Sequence, residues 1–458
     1  MRNENNKMIS KSTYLIGLQC PYWLWKHVHE KDSLPEPDEF TKSLFETGYE
    51  VEQLANSLFQ KESLQKTIQY EDCQARLDVL ETRELIEIKS STEVKKIHIE
   101  DLAFQLYLAR KNNIEVHSCY VLHLNNEYVK KGDINTKQLF TKTDVTEEVF
   151  ELLPLVEEKL HKIREIIKEE CPSPLVQCKP AYSCPAHQQY FKSLPLGNVF
   201  ELSRGKAKAF TLAQQGIFNL KDIKNTKLTE KQQIQVECAK TQKPYINKEK
   251  IQNFLESLEF PIYYLDFETV SFAIPKWDGT RPYQHVCVQH SCHIEYEDGT
   301  IKHKEFLFET GKEPFKPFIE HLKETLKDKG SIVVYSQTFE EGRLKELARD
   351  YPEHEDWINK IRKRLVDLLI PFREFAQYHP SQKGSASIKK VLPTLTNLDY
   401  SELEVANGSV AMQELAKLTE VDNPEMRKHL LKYCELDTLA EVEIVKKLRE
   451  LVEYSKIS

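Results

Sequence analysis

The chain has 458 residues, 40% hydrophobic and 30% charged, which is too long for one core and fits a soluble protein of two or three domains. A net charge of −8 argues against a uniformly basic nucleic-acid coat, although residues 201–250 carry eleven Lys/Arg against five Asp/Glu. No apolar run reaches the roughly 20 residues of a membrane-spanning helix, so a membrane is excluded as a partner.

The first residues, Met1-Arg2-Asn3-Glu4-Asn5-Asn6-Lys7, are polar and lack the apolar core of an export signal. Ten cysteines without such a signal point to a reducing, cytoplasmic setting, where thiols are core residues or metal ligands. Residues 10–30 have helical periodicity, with Leu15, Leu18, Tyr22 and Trp23 on the apolar face and Cys20 among them. A second helix is expected over 39–59. The period then changes to two, giving strands at 75–80 and 84–90, a helix at 99–110 and a strand at 116–124.

In the second of these strands Glu87 and Lys89 share one face, while Ile86 and Ile88 share the other. Asp78 and Glu87 on neighbouring strands can hold a divalent cation against a phosphate. Lys89 beside them can stabilise an attacking hydroxide or the developing negative charge. A surface strand of alternating charge would show the same Glu-x-Lys, but a mostly apolar strand makes a buried lysine costly without a role.

Asp78, the run Ile86-Glu87-Ile88-Lys89-Ser90-Ser91-Thr92, and Ala103-Phe104-Gln105-Leu106-Tyr107 resemble the PD-(D/E)xK nuclease superfamily, in its RecB-like branch, over residues 10–190. The resemblance implies a restriction-endonuclease-like α/β domain with one or two Mg2+ or Mn2+ ions and Gln105 in the site. It places a ligand on the early helix where this chain has Glu52 in place of histidine. It also implies an iron–sulfur cluster held by four thiolates, for which Cys20, Cys171, Cys178 and Cys184 are the candidates. The related proteins have a cysteine where Tyr190 stands here. A zinc ion and unligated core thiols are the alternatives.

From 192 to 253 the pattern is helical, basic and short-looped, either a connector touching phosphates or a spacer. Beyond it, Tyr263-Tyr264-Leu265-Asp266-Phe267-Glu268-Thr269 is expected to be a buried strand with both carboxylates on one side. Side by side they repel, and a divalent metal is the usual remedy, although two solvated acids at a strand end would also satisfy the pattern. A hairpin over 283–308 turns at Glu297-Asp298-Gly299-Thr300, followed by a helix over 314–327 and an apolar strand over 331–335. Phe339-Glu340-Glu341 opens another helix, 365–369 is a further apolar stretch, and a helix begins at Ile388. On the last helix, from about 423, Tyr433 and Asp437 are four apart and share a face.

Asp266-x-Glu268, Phe339-Glu340 and Tyr433-x-x-x-Asp437, in that order, resemble the three motifs of DEDD-type exonucleases, over about 258–455. That likeness implies an RNase H-like α/β domain with a mixed sheet and two divalent ions on Asp266, Glu268, Glu340 and Asp437. Tyr433 would orient the attacking water. Glu340 stands where an aspartate is usual, with Asp367 as the fallback ligand. The expected organisation is 1–195 RecB-like domain, 196–255 basic helical connector and 256–458 exonuclease domain. The expected activity is metal-dependent hydrolysis of DNA, or of RNA, in repair, recombination or defence, with a helicase or another repair or defence protein as partner. The alternatives are a catalytically silent nucleic-acid-binding or recruitment protein, and an interaction protein with no nucleic-acid role.

Overall fold

A computed structural model describes residues 8–176, 178 and 184–453. Residues 177 and 179–183 of the cysteine-bearing stretch lie outside the described residues. The chain is a mixed α/β protein that divides into two compact units. One contains residues 1–195 with 272–284; the other contains 196–271 with 285–458. The expected connector, 196–255, is therefore part of the second unit, and the segment 272–284 leaves the expected C-terminal domain for the first.

The first unit is built on six strands: β1 Ile9–Ser10, β2 Leu64–Tyr70, β3 Cys73–Glu81, β4 Glu84–Lys89, β5 Ser118–Leu124 and β6 Phe140–Asp144. Their order is β1-β3-β4-β5-β6, with β2 also paired to β3. β4 and β5 are parallel, so the helix Lys96–Lys111 between them is a crossover lying over the sheet. That helix is buried almost throughout. Its Phe104 stacks on Tyr14 at 4.5 Å, which joins it to the helix Lys11–Gln19 in one core with Leu77, Leu85 and Val121. Val79, Ile86, Ile88 and Leu122 form a second core with Val51 and Ala55 of the helix Glu39–Asn56. The expected helix over 10–30 is two helices, Lys11–Gln19 and Pro21–His29, because Pro21 has no N–H to continue the first and instead opens the second.

The second unit contains a five-stranded mixed sheet made of β8 Ile262–Ser271, β9 His285–Glu295, β10 Ile301–Leu307, β11 Ile332–Val334 and β12 Leu365–Asp367, in the order β10-β9-β8-β11-β12. A separate antiparallel pair joins β7 Tyr245–Ile246 to β13 Gln377–Tyr378. β8 is central, antiparallel to β9 along its length and parallel to β11 at Tyr263 and Tyr264. Its alternation decides which side becomes chemical. Tyr263, Leu265 and Phe267 face a core with Phe318, Leu322 and Leu344 from the helices Phe315–Thr325 and Gln337–Asp350. Asp266 and Glu268 face the other way, toward the long helix Pro424–Glu453.

The basic segment is integrated into this unit and is not a solvated linker. Gln235, fully buried on the helix Glu230–Thr241, accepts from Ser203 N at 2.6 Å and donates to the Tyr378 hydroxyl at 3.3 Å. Lys231 pairs with Glu374 at 2.8 Å.

Candidate active sites

In the second unit, carboxylate oxygens of Asp266, Glu268 and Asp437 lie within 4.8 Å of one another. The strand supplies two and the helix Pro424–Glu453 supplies the third. Tyr433, one turn before Asp437, is buried on the same face. The hydroxyl of Tyr400 donates to Asp437 Oδ1 at 2.6 Å, and Lys389 Nζ donates to the Tyr433 hydroxyl at 3.2 Å. Lys389 also donates to Ala406 O at 2.8 Å and lies 4.9 Å from the ring centroids of both tyrosines. Cys434 donates weakly to Asp266 Oδ2 at 3.7 Å.

Glu340 is buried in the first turn of the helix Gln337–Asp350, and its Oε2 has no hydrogen-bond partner among the described residues. Glu441, one turn beyond Asp437, is buried as well, with its Oε2 in the same condition. Among the described residues, five acids therefore crowd one region against one ammonium, Lys389, with the Arg343 guanidinium acting on Glu340. The electrostatics follow. Burial, then Asp437, Glu268 and Glu340, push Asp266 well above the usual carboxylate range. Burial and Asp437 do the same to Glu268, and burial with Asp266 and Glu340 to Glu441. Burial raises Glu340 to about 8. It raises Asp437 only to about 6, because Tyr400, Lys389 and Tyr433 stabilise its anion. Burial outweighs the surrounding acids at Lys389 and lowers it.

Asp367, the fallback ligand, is used otherwise. Its Oδ1 accepts from Ser336 N at 3.1 Å and from Leu369 N at 3.0 Å. Ser336 is left-handed, with φ 81°, so Asp367 fastens the turn from which the Glu340 helix starts.

In the first unit, Asp78 and Glu87 lie one step along from the paired Val79 and Ile86, on the side opposite the core those residues enter. Asp78 Oδ2 accepts from Ile88 N at 2.9 Å. Lys89 Nζ donates to Glu87 Oε1 at 2.6 Å and to Asp101 Oδ2 at 3.0 Å. Gln105 Nε2 donates to Glu87 Oε2 at 2.6 Å and to Asp101 Oδ1 at 3.0 Å, leaving its buried Oε1 without a partner among the described residues. Lys11 Nζ completes the group, 2.7 Å from Glu87, 3.6 Å from Asp101 and 3.9 Å from Asp78.

Burial opposes the charge on Glu87, but Lys89 and Lys11 hold it below its ordinary value; Asp78 moves up, from burial and the Glu87 charge. An ammonium thus sits among three acids in the place a metal cation would take. The donor set fits a divalent ion only if Lys11 withdraws. Glu52 is elsewhere engaged, accepting from Gln65 at 2.7 Å and lying 3.8 Å from Arg76, so it is not joined to Asp78 and Glu87.

A family model described as a domain of unknown function, DUF2779, matches residues 263–387. That span contains Asp266, Glu268, Glu340 and Asp367 but stops short of Lys389, Tyr400 and the last helix. An uncharacterized Ureaplasma parvum protein, UU173, is 28% identical over 224 residues, which is 42% of this chain and 32% of the relative. The Mycoplasma pneumoniae homologue of uncharacterized protein MG366 is 28% identical over 221 residues, 43% of this chain and 33% of the relative. The match thus spans about a third of the length of these curated relatives. No solved structure matches.

The expected cysteine set separates. Cys20 and Cys178 converge with His187 within 4.8 Å, and Cys184 joins them through His187. Cys171 is exposed and directs its thiol to the carbonyl of Pro172 at 3.6 Å, outside the group of Cys20, Cys178 and His187. Lys11, Asp101, Lys389, Tyr400 and Glu441 were not marked by the motifs. Asp101 and Glu441 were findable, since each lies four residues from a motif residue on the same helix, Gln105 and Asp437. Lys11, Lys389 and Tyr400 carry no local signal.

Proposed function

We propose that the protein is a metal-dependent nuclease whose C-terminal unit, RNase H-like in fold, hydrolyses phosphodiester bonds in DNA or RNA. The observation that carries this reading is the convergence of Asp266, Glu268 and Asp437 beside two further buried acids, with too few cations to balance them. Such crowding is costly to leave unanswered, and carboxylate oxygens are the donors that Mg2+ and Mn2+ prefer. Asp266, Glu268 and Asp437 would hold the ion or ions, with Glu340 as a further donor. Bound there, a divalent ion supplies Lewis-acid activation of the scissile phosphate and of a water molecule.

The chain's own groups supply positioning. Tyr433, its hydroxyl held by Lys389, orients the water whose oxygen bonds to phosphorus as the bond to the leaving oxygen breaks. Tyr400 donates to Asp437, which favours its anion and holds the carboxylate in place. Lys389 lies where negative charge develops and offsets part of it.

The first unit, PD-(D/E)xK-like, is read as a second nucleic-acid site. Because Lys11 occupies the centre of its acids, no metal-routed step is derived for it. The same observation favours a second reading for that unit alone, namely binding of a nucleic-acid backbone without cleavage.

The test is incubation of end-labelled single- and double-stranded DNA and RNA with Mg2+, Mn2+ or chelator. Asp266→Asn is expected to abolish metal-dependent shortening, and Tyr433→Phe to slow it roughly 10²- to 10⁴-fold with the fold intact. Full activity in Asp266→Asn would remove the proposal.

A further inference from the structure

The iron–sulfur cluster implied by the resemblance does not fit the donor atoms. A cubane binds each protein thiolate to a different iron and so spreads the sulfurs around a body larger than one ion. Here three thiols close on a single nitrogen. His187 Nδ1 lies 3.2 Å from Cys184 Sγ, 3.8 Å from Cys20 Sγ and 3.9 Å from Cys178 Sγ. A tetrahedral ion with bonds of about 2.3 Å to sulfur and about 2.0 Å to nitrogen spaces such donors roughly 3.5 Å apart. We propose that Cys20, Cys178, Cys184 and His187 form a mononuclear zinc site, with the histidine in place of a fourth cysteine and Cys171 taking no part.

Two features of the surroundings point the same way. His187 Nε2 lies 3.1 Å from the carbonyl of Pro174, which can only accept, so the ring carries its proton on Nε2. That leaves the Nδ1 lone pair aimed at the three sulfurs, the arrangement in which a carbonyl fixes the tautomer of a metal-binding histidine. Cys20 and Cys184 each precede a proline and cap a helix, Pro21–His29 and Pro185–Ser193. Their sulfurs accept from Trp23 N and His187 N, each at 3.4 Å. Two helix N-termini therefore aim backbone N–H donors at these sulfurs. Cys20, Cys184 and His187 are buried, and the Tyr22 ring meets the His187 ring edge-on at 5.3 Å.

The site ties the junction of the two N-terminal helices to the helix Pro185–Ser193. Cys20 directly follows the helix Lys11–Gln19, so the zinc also anchors the element that presents Lys11 to Glu87.

The experiment is metal and acid-labile sulfide analysis of the full chain, purified anaerobically without chelator, followed by replacement with Co2+. The expected result is one zinc per chain, no labile sulfide, and a cobalt form with intense tetrahedral bands and thiolate charge transfer. Cys171→Ser should keep full occupancy, His187→Cys should keep it with a shifted cobalt spectrum, and His187→Ala should lose at least about tenfold in zinc affinity. If His187→Ala does not fold, the cobalt spectrum of the unaltered protein decides. Absence of tetrahedral thiolate bands, folded protein that takes up no zinc, or stoichiometric iron and sulfide lost in Cys171→Ser would each overturn the proposal.

Discussion

Asp437 is held by the Tyr400 hydroxyl at 2.6 Å and is further stabilised as an anion by Lys389 and Tyr433, while on β8 Asp266 has only a weak Cys434 thiol donor and Glu268 only the Lys389 charge to offset burial. The consequence can be read in pH. Folding raises Asp437 from an ordinary 3.8 to about 6 and Glu340 from 4.5 to about 8. The folded state therefore binds more protons than the unfolded chain between those values, and stability falls as pH rises through that window. Without divalent metal, the melting temperature should drop from about pH 5 to about pH 8. Mn2+ should restore more of it at the upper pH, because the cation needs the ionised acids. Asp437→Asn should flatten both effects; a metal-free melting temperature that climbs over the same range would contradict the site's charge balance. The first unit instead holds two lysines among its acids. Removing the Lys11 ammonium leaves Asp78, Glu87 and Asp101 with Lys89 alone, and breaking such a buried group costs about 3–5 kcal/mol. Lys11→Met should lose stability of that order in denaturant melts and recover part of it with Mn2+, whereas the unaltered protein should gain nothing at that unit.

The elements that carry these groups differ in how openly they announce themselves. β8 is legible because its alternation is strict, with Leu265 and Phe267 in one core and Asp266 and Glu268 opposite. The last helix is legible through its length and periodicity, and Tyr433 and Asp437 follow from it. Glu441 is marked only by lying four residues beyond Asp437, a spacing that acids on a solvated face share far more often. The pairing of Lys11 with Glu87, and of Lys389 with Tyr433, depends on chain topology that no local pattern encodes. The short strand β6 leaves little periodicity to read, and β2 carries Gln65 in a left-handed conformation that breaks its own. In the cysteine stretch a search for four thiols passes over His187, which lies within 4.8 Å of Cys20 and Cys178. Helix contacts give a further test. A Cβ on Gly17 would come 2.6 Å from Ile163 Cγ1, so the Ile163 side chain or the helix Lys11–Gln19 must shift to accept it. Gly17→Ala should cost about 1–3 kcal/mol. Gly48, within the helix Glu39–Asn56, meets nothing, and Gly48→Ala should gain roughly 0.5–1 kcal/mol. Equal effects from the two substitutions in chemical denaturation would contradict the packing described.

Taken entire, the molecule sets two acidic clusters in two units and treats their charge in different ways. The first answers three carboxylates with two lysines from its own chain; the second gathers five acids around one lysine. On the proposed function that contrast favours the second unit for metal-dependent chemistry, where a cation from solution would let a net acidic protein engage a polyanion. The DUF2779 match covers the strand acids and Glu340, while the tyrosines and Asp437 come from the chain beyond it, so both parts must fold together for the site to exist. The most direct measurement is the length of an end-labelled strand incubated with Mn2+ and either the unaltered protein, Asp266→Asn/Glu268→Gln, or Lys89→Ala. Progressive shortening by the unaltered protein and by Lys89→Ala, absent in Asp266→Asn/Glu268→Gln with its fold retained, is the expected result. Shortening that survives the double substitution, or that depends on Lys89 alone, would contradict it.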